Sequence, residues 1–270
     1  MKFFNDLADL CQKKLLRLDI TVQARLSLAE DTELLTAMRK ASVNNVCIGY
    51  ESPIVEELLA MKKPIHPKKM LEWTRAYKKL GFFIHAMWIF GYPLLPEQRE
   101  QIQMSARTRA KLFWKFIKKA TREGIDTIQI LLLTPLLGTQ VRQRLLEEGR
   151  IYNLGWEYYD GTWLLFEPDQ GVDPEDLQFE CTRLMRKFYA HNLLWPTKII
   201  ALIAHLVKIG FITIWLPIQW FYTGFRFRPW YRRWRNSIKH FGAHLIIWRW
   251  LKNFKKINFI SKLKQFKHGR

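Results

Sequence analysis

The feature that most constrains the fold is a fourfold alternation, between residues 20 and 150, of short β-branched runs with longer segments of helical period. This alternation is typical of βα units around a parallel sheet. The predicted strands are Ile20–Arg25, Asn45–Tyr50, Phe82–Phe90 and Thr127–Leu133. The predicted helices are Asp31–Lys40, Ile54–Ala60, Pro67–Leu80, Pro96–Arg122 as one long helix, and Thr139–Glu148. Four consecutive units favour an α/β barrel architecture over an open sheet.

The pattern changes after Gly149. Trp163–Phe166 is the one further strand candidate. Asp173 followed by Pro174 has the sequence of a helix start, with Asp173 as N-cap and the proline in the first turn. We predict that this helix runs to about Leu194 and ends before Pro196, because a proline disfavours helical backbone in the residue before it.

Charge divides the chain into two unlike parts. No Asp or Glu follows Glu180, and residues 181–270 carry 19 of the 44 Lys and Arg. The first 180 residues therefore balance 25 basic against 24 acidic side chains, as an ordinary globular sequence does. We predict a partial barrel core over 1–150, a smaller C-terminal subdomain over 151–195, and a basic aromatic tail over 196–270.

The cysteines predict a reducing compartment. Cys11, Cys47 and Cys181 are far apart in the sequence, so neither a disulfide framework nor a metal knuckle is expected. Asp6 and Asp9 lie where a secretory peptide would need an apolar core, which favours a cytoplasmic protein. The histidines offer one i, i+4 pair, His240 and His244, but no carboxylate lies nearby, and we predict no metal site.

Polar residues and glycines follow each predicted strand, where a barrel of parallel strands carries its site. These strand ends are Gln23 and Arg25; Gly49, Glu51 and Ser52; Gly91, Pro93 and Glu97; and Thr134, Pro135, Gly138 and Thr139. A glycine lets the backbone approach a ligand closely, and a nearby carboxylate or hydroxyl can hold a ribose. Taken singly, each of these residues is weak evidence for a site and is better explained as a turn residue or a solvated charge.

The order and the residue types of these segments resemble those of the radical SAM superfamily. The run VQARLSLAEDTELLTAMRKASVNNVCIGYES, the segment IFGYP at Ile89–Pro93 and the segment LLLTPLLGTQVRQRLLEEGRI follow one another as in that family. WEYYDG and the FEP of Phe166–Pro168 are similar to the tail of cobalamin-domain-associated members. The resemblance covers about residues 3–190. It implies that this chain supplies the third to sixth units of a six-unit barrel, followed by a helical extension.

The resemblance also implies S-adenosylmethionine as cofactor. Glu51 and Ser52 would face its ribose or methionine part, and Ile89 and Gly91 would border the adenine. The remaining candidates are Thr134 and Pro135, which would close the pocket, and Gln23 and Arg25, which would point into the barrel mouth. Two departures stand out: Leu137 occupies the place of a proline before Gly138, and Glu97 comes later than the usual acid after Gly91.

The family's three clustered cysteines, which bind an iron-sulfur cluster, do not occur in this sequence. Such a cluster would have to come from a missing or partner segment, so a cluster-bearing partner polypeptide is one expectation. Two functions follow. The chain is the C-terminal portion of a membrane-associated radical SAM enzyme of unknown substrate, inactive in isolation, or a noncatalytic remnant that acts as a membrane-bound or nucleic-acid-binding module. No catalytic residue can be assigned.

The tail predicts contact with an anionic membrane surface. Residues 199–225 are almost wholly apolar, although Lys208 and Pro217 interrupt them, and seven of the twelve tryptophans lie beyond residue 190. From Ile238 onward, apolar residues recur at three- and four-residue steps between basic ones, as in an interfacial helix. We expect the inner face of the membrane. Nucleic acid is a less favoured partner, because the apolar run has no use there, and packing on the barrel or another chain is the third alternative.

Overall fold

The computed structural model describes residues 1–194, apart from Arg17 and Pro64, and isolated helical positions between 203 and 249. The chain divides into two compact units, one built on Met1–Leu184 and the other on Met185–Phe259. The first unit holds the predicted core and most of the predicted C-terminal subdomain. The predicted apolar run at 199–225 and the pattern from Ile238 lie almost entirely outside the described residues.

The first unit is built on a four-stranded parallel sheet, as the alternation predicts. Its strands are β1 (Ile20–Arg25), β2 (Val43–Glu51), β3 (Phe83–Phe90) and β4 (Thr127–Leu132). They lie in sequence order, each parallel to the next. All four predicted strands are confirmed to within two residues at each end. The mixed α/β class is confirmed as well, and the arrangement is that of a partial barrel flanked by helices.

Eight α-helices accompany the sheet within residues 1–194. They are α1 (Lys2–Lys13), α2 (Thr32–Lys40), α3 (Val55–Ala60), α4 (Pro67–Lys79), α5 (Pro96–Arg99), α6 (Ala106–Glu123), α7 (Gln140–Glu147) and α8 (Pro174–Leu194). Short 3-10 turns occur at Leu26–Glu30 and Trp156–Tyr158. The start of α2 is fixed by Asp31, whose carboxylate accepts a hydrogen bond from the Leu34 amide at 2.8 Å.

One face of the sheet forms the core against α4 and α6. Its side chains are the even-numbered residues of β2 and β3, all nearly or fully buried: Val46, Ile48, Tyr50, Ile84, Ala86, Trp88 and Phe90. Trp88 stacks on Tyr50 with ring centroids 4.7 Å apart and meets Phe113 and Phe116 of α6 edge-on. The Tyr50 hydroxyl is 2.7 Å from the Thr74 hydroxyl of α4. Burial of these large rings is the main stabilisation of the unit.

The prediction of one long helix over Pro96–Arg122 is wrong. The structure has a single turn, α5, and then a separate helix, α6, that starts at Ala106. Ser105 caps α6, because its hydroxyl accepts from the Thr108 amide at 3.2 Å. Two arginines bond the backbone beside the break: Arg99 donates to the Leu94 carbonyl at 3.1 Å, and Arg109 to the Met104 carbonyl at 3.4 Å.

The predicted strand at Trp163–Phe166 is also wrong, since only one antiparallel bridge, between Ile151 and Phe166, forms there. The segment is buried, but a side chain satisfies its backbone. Gln178 of α8 accepts from the Leu164 amide at 2.8 Å and donates to the Thr162 carbonyl at 2.6 Å. The Asp173 cap is confirmed by its 2.9 Å hydrogen bond from the Asp176 amide, and α8 is described as far as Leu194.

Candidate functional site

The face of the sheet turned away from α4 and α6 is the candidate site. Its residues, apart from the buried Thr127, are half-buried or exposed, in contrast to the core face: Gln23, Arg25, Cys47, Gly49, Glu51, His85, Met87, Ile89, Gln129 and Leu131. The strand register sets them in rows, with Gln23 beside Cys47 and His85, and Arg25 beside Gly49 and Met87. A parallel sheet is normally covered on both faces, so this open face can accept a ligand or a covering segment.

Glu51 has the most unusual backbone on this face. Its φ is 62°, in the left-handed region that non-glycine residues rarely adopt, and the register with β3 shifts between Gly49 and Glu51. A Cβ added to Gly49 would stand 2.8 Å from a Glu51 carboxylate oxygen. Lys63 pairs with this carboxylate at 3.2 Å. The glycine therefore leaves the space in which the Glu51 carboxylate lies over the open face.

His85 and Cys47 occupy the row nearer the start of the strands. The Nδ1 atom of His85 is 2.8 Å from the Thr127 hydroxyl, and Gln129 is a second hydrogen-bond partner of the ring. Partial burial lowers the pKa of His85 below its usual value, with the Gln129 bond acting in the opposite sense. Burial also raises the pKa of the Cys47 thiol. Both groups are therefore neutral near pH 7, which makes this row polar but uncharged.

Ser52, a predicted site residue, lies beneath the strand ends and is fully buried. Its hydroxyl donates to the Glu57 carboxylate and accepts from the Ile54 amide at 3.1 Å. Glu57 is also fully buried and pairs with Arg109 of α6. Complete burial raises the pKa of Glu57 to about 7, although the Arg109 guanidinium and the Ser52 hydroxyl both lower it. The position of Ser52 gives it a structural task at the turn after β2.

Arg109 extends this buried network to the C-terminal subdomain. It donates to the Tyr92 carbonyl at 3.2 Å and reaches Asp169 at 3.3 Å. Asp169 in turn accepts from the Leu94 amide at 3.0 Å and from Arg150 at 2.9 Å. The network therefore joins the loops that follow β2 and β3 to the segment around residue 169. These buried bonds fix the positions of the loops that follow β2 and β3.

Gly91 lies against α8 instead of facing open space. Its φ is +75°, and a Cβ there would come within 2.8 Å of the Leu177 side chain. Leu177 is 1% exposed. The close approach that the sequence suggested for Gly91 is therefore used by a helix of the same chain. Ile89, two residues earlier, is half-buried on the open face beside Leu131 of β4.

The loop after β4 holds Thr134 and Pro135 at the same edge of the sheet. Thr134 is half-buried and Pro135 is buried. Arg142 of α7 donates to the Pro135 carbonyl at 3.0 Å and so fixes the course of this loop. The structure therefore gathers Arg25, Glu51, Ile89 and Thr134 at the ends of the four strands. It places Ser52 and Gly91 in the packing around them.

An open groove of about 990 Å³ runs along β1. It is lined by Phe4, by both faces of β1 from Val22 to Arg25, and by residues between Ser27 and Met38. Among the residues that the structure describes, β1 has a neighbour on one edge only. No set of three metal-ligating side chains lies together in the described part of the chain. None of the described helices combines the length and apolarity needed to cross a bilayer.

The sequence does not reveal the three charged residues whose buried network joins the loops after β2 and β3: Glu57, Arg109 and Asp169. Each resembles an ordinary surface charge in the sequence. One signal could have identified Arg109, because it stands among the apolar positions Ala106, Ala110 and Phe113 of α6 at helical spacing. Glu57 and Asp169 lie 52 and 60 residues from Arg109, so no local pattern connects them.

Comparison with known proteins gives distant similarity. No protein-family model matches the chain. An uncharacterized methyltransferase of Pyrococcus horikoshii is 25% identical over 123 residues, which are 46% of this chain and 24% of that protein. The solved structure of the cobalamin-dependent S-adenosylmethionine radical enzyme OxsB is similar at a TM-score of 0.40 and 12% identity. That match spans 96% of this chain and 46% of the OxsB chain. The chain thus spans less than half the length of either protein.

Proposed function

We propose that the open face of the sheet is part of an S-adenosylmethionine site in a membrane-associated enzyme of radical SAM type. The observation that carries the proposal is the left-handed backbone of Glu51, whose carboxylate lies over Gly49 at the end of β2. Backbone strain of this kind costs of order 1–3 kcal/mol and is concentrated at functional sites. A carboxylate so placed can accept hydrogen bonds from the ribose or the amino group of the cofactor.

The chemical types of the residues on the open face suit S-adenosylmethionine. Arg25 and Gln23 offer polar groups from β1, Ile89 offers an apolar surface for the adenine, and Thr134 offers a hydroxyl from the loop after β4. The distant similarity to a methyltransferase supports the same proposal. S-adenosylmethionine would supply the transferable group or the radical, and the residues of this chain would bind and orient it.

The cluster needed for radical chemistry would come from another polypeptide segment along β1. A parallel strand with one free edge is a template for a further strand. Apolar side chains are exposed in the segment that precedes β1: Phe3 and Leu10 on α1, and Leu15, Leu16 and Leu18 after it. A segment that added one more βα unit would pair with the backbone of β1 and cover these side chains. Its cysteines would then lie near the ends of the strands.

The cofactor claim is tested by calorimetry with S-adenosylmethionine and the whole chain. We expect measurable binding, and at least a tenfold weaker affinity, about 1.4 kcal/mol, for Glu51→Gln. Lys118→Gln is the control, because Lys118 is exposed on α6. The unfolding curves of both variants should match that of the parent. No binding by the parent chain, or equal binding by the two variants, contradicts the proposal.

The noncatalytic alternative has specific support as well. Ser52 and Gly91 are used for internal packing, against Glu57 and Leu177. A chain that keeps the fold but has lost cofactor binding would show the same internal packing at Ser52 and Gly91. In that case the chain acts as a membrane-bound or nucleic-acid-binding module. The calorimetry separates the two proposals, because a remnant does not bind S-adenosylmethionine.

The membrane part of the proposal is supported by the tail sequence. Residues 181–270 carry 19 basic residues, no acids and seven tryptophans, and this composition matches an anionic phospholipid surface, with rings at the interface and charges on the headgroups. We therefore place the protein at the inner face of the membrane.

A further inference from the structure

Charge is distributed unevenly over the core, although its total is balanced. The first 180 residues hold 25 basic and 24 acidic side chains. Helices α4 and α6, which pack against each other, hold 12 of these basic residues and two of the acidic ones. The rest of these 180 residues therefore hold 13 basic and 22 acidic side chains. The positive charge of a nearly neutral core is thus concentrated on two neighbouring helices.

Half of these 12 basic residues form one stripe along α6. The helix buries its apolar side, which includes Phe113 and Ile117, and exposes the opposite side. Basic residues recur on the exposed side at three- and four-residue steps, and we name them the α6 basic stripe: Arg107, Lys111, Lys115, Lys118, Lys119 and Arg122. At 1.5 Å per residue, the stripe is about 22 Å long.

Acidic side chains compensate little of the charge of the α6 basic stripe. Among the residues that the structure describes, Arg107 is its one member with an ion pair, to Asp176 of α8 at 3.7 Å. The acid of α6 itself, Glu123, pairs with Arg75 of α4 at 2.7 Å. On α4, by contrast, three of the five basic residues have acidic partners. Like charges three or four residues apart destabilise a helix, so a stripe of six indicates a polyanionic partner.

The composition of the exposed side of α6 favours phospholipid over nucleic acid. Besides the basic residues, this side exposes Thr108 and Leu112, and α6 has no Asn or Gln that could read a base edge. Trp114 is half-buried, so the helix presents no fully exposed ring on which a base could stack. Four of the six basic residues are lysines, whose ammonium groups need no fixed geometry. Leu112, which is 41% exposed, suits the interfacial layer of a bilayer.

We propose that the α6 basic stripe lies on an anionic phospholipid surface. The inference rests on the membrane association in the proposed function, and it adds the face by which the core meets the lipid. The aromatic residues of α6 pack on the core face of the sheet, through Trp88. The open face, with Glu51, therefore turns away from the bilayer and receives its substrate from the aqueous side.

Vesicle binding by the whole chain tests the stripe through a matched removal of charge. The stripe variant carries Lys111→Gln, Lys115→Gln, Lys118→Gln and Lys119→Gln. The control variant removes four other exposed lysines, on or next to α1 and α2: Lys2→Gln, Lys13→Gln, Lys14→Gln and Lys40→Gln. Vesicles contain equal parts of phosphatidylglycerol and phosphatidylcholine. In low salt we expect the stripe variant to bind at least about tenfold more weakly than the parent, and the control variant less than about threefold. High salt should reduce this difference, since it screens the charges.

Arginine at the same four positions of the stripe should restore the affinity of the parent, because it keeps the charge. The unfolding curves of all variants should match, since the side chains are exposed and glutamine is a good helix former. Equal losses for the stripe and control variants would overturn the proposal while the membrane association stands. Unchanged vesicle binding with weakened RNA binding by the stripe variant would overturn it in favour of nucleic acid. A parent chain that binds no vesicles would refute the membrane association itself, and this inference with it.

Discussion

At the scale of single residues, three backbone positions with positive φ mark different uses of the same geometry. Gly91 has φ +75°, and a Cβ added there would come within 2.8 Å of Leu177. Gly138 has φ +77°, and a Cβ added there would meet nothing within 4 Å. Glu51 has φ 62° although it has a side chain. Glycine adopts this region without steric cost, whereas other residues are strained there. Substitution of the two glycines therefore distinguishes the cost of backbone strain from the cost of a steric clash. Substitution of Glu51 by glycine removes backbone strain.

Gly91→Ala should lower the free energy of unfolding by about 2 kcal/mol or more, because it adds both backbone strain and a clash with Leu177. Gly138→Ala is the matched control, since it has nearly the same φ and no neighbour, and it should cost only about 1 kcal/mol. Urea unfolding measures both. Equal losses for the two variants would show that Gly91 has no packing role.

Glu51→Gly should leave the free energy of unfolding unchanged or raise it by up to about 1 kcal/mol, because glycine relieves the left-handed strain. Glu72→Gly is the comparison: Glu72 is exposed within helix α4, where glycine costs about 1 kcal/mol. Thermal unfolding of the two variants beside the parent decides this. A loss at position 51 as large as that at position 72 would mean that the backbone of Glu51 is unstrained.

At the scale of elements, one buried arginine joins helices and loops that are distant in sequence. Arg109 of α6 reaches Glu57 of α3, the carbonyls of Tyr92 and Met104, and Asp169 in the segment before α8. A buried pair of this kind adds little net stability compared with apolar packing, but the loss of one partner leaves the other charge without compensation. The network therefore makes the position of α3 depend on α6 and on the segment around Asp169.

Arg109→Met should cost about 3–5 kcal/mol of unfolding free energy near pH 8.5 and less at pH 6. The sign follows from Glu57, whose folded pKa is about 7, above its unfolded value, and is lowered by Arg109. Without the arginine that pKa rises further. Below pH 7 Glu57 is protonated in both proteins, so the difference is smallest there, and it grows as the pH passes the parent's pKa.

Lys111→Met is the matched control for this variant, because it removes a charge from an exposed position on the same helix and should change stability by less than about 0.5 kcal/mol. Urea unfolding at the two pH values measures the effect. A cost for Arg109→Met that is independent of pH between 6 and 8.5 would contradict the role assigned to Glu57.

At the scale of the whole molecule, the chain joins a partial barrel of balanced charge to a strongly basic tail. No acidic residue follows Glu180, and residues 181–270 hold 19 of the 44 basic residues. The two parts differ in composition: the barrel has an open face and an open strand edge, whereas the tail has the composition that suits an anionic surface. The proposed function connects them, because the tail would hold the proposed enzyme at a membrane.

The whole chain should float with anionic vesicles, with up to about 1 kcal/mol from each basic residue that reaches the surface. High salt should weaken this binding without abolishing it, since the apolar stretch at 199–225 does not depend on charge. A chain that ends at Leu194 should float much less. If the shortened chain floats equally well, or if the whole chain ignores vesicles and retains single-stranded RNA, nucleic acid replaces the membrane as the proposed partner.

Local pattern was sufficient for the positions of the strands. Each of the four β-branched runs became a strand of a parallel sheet, and the cap residues Asp31 and Asp173 were legible because capping acts within three residues. The two wrong predictions have local causes too: Ser105 caps a separate helix within the predicted Pro96–Arg122 helix, and the apolar run at Trp163–Phe166 is buried without pairing as a strand.

Only the tertiary structure decided how the predicted site residues are used. Arg25, Glu51, Ile89 and Thr134 lie at or near the ends of four different strands, and the sequence places them at one edge of a sheet because parallel strands all end there. The sequence does not reveal that Ser52 and Gly91 belong to the packing, since their partners Glu57 and Leu177 are chosen by how the elements meet in space. Hydrophobic period and capping are short-range, whereas the pairing of Arg109 with residues 52 and 60 positions away is settled only when the core closes.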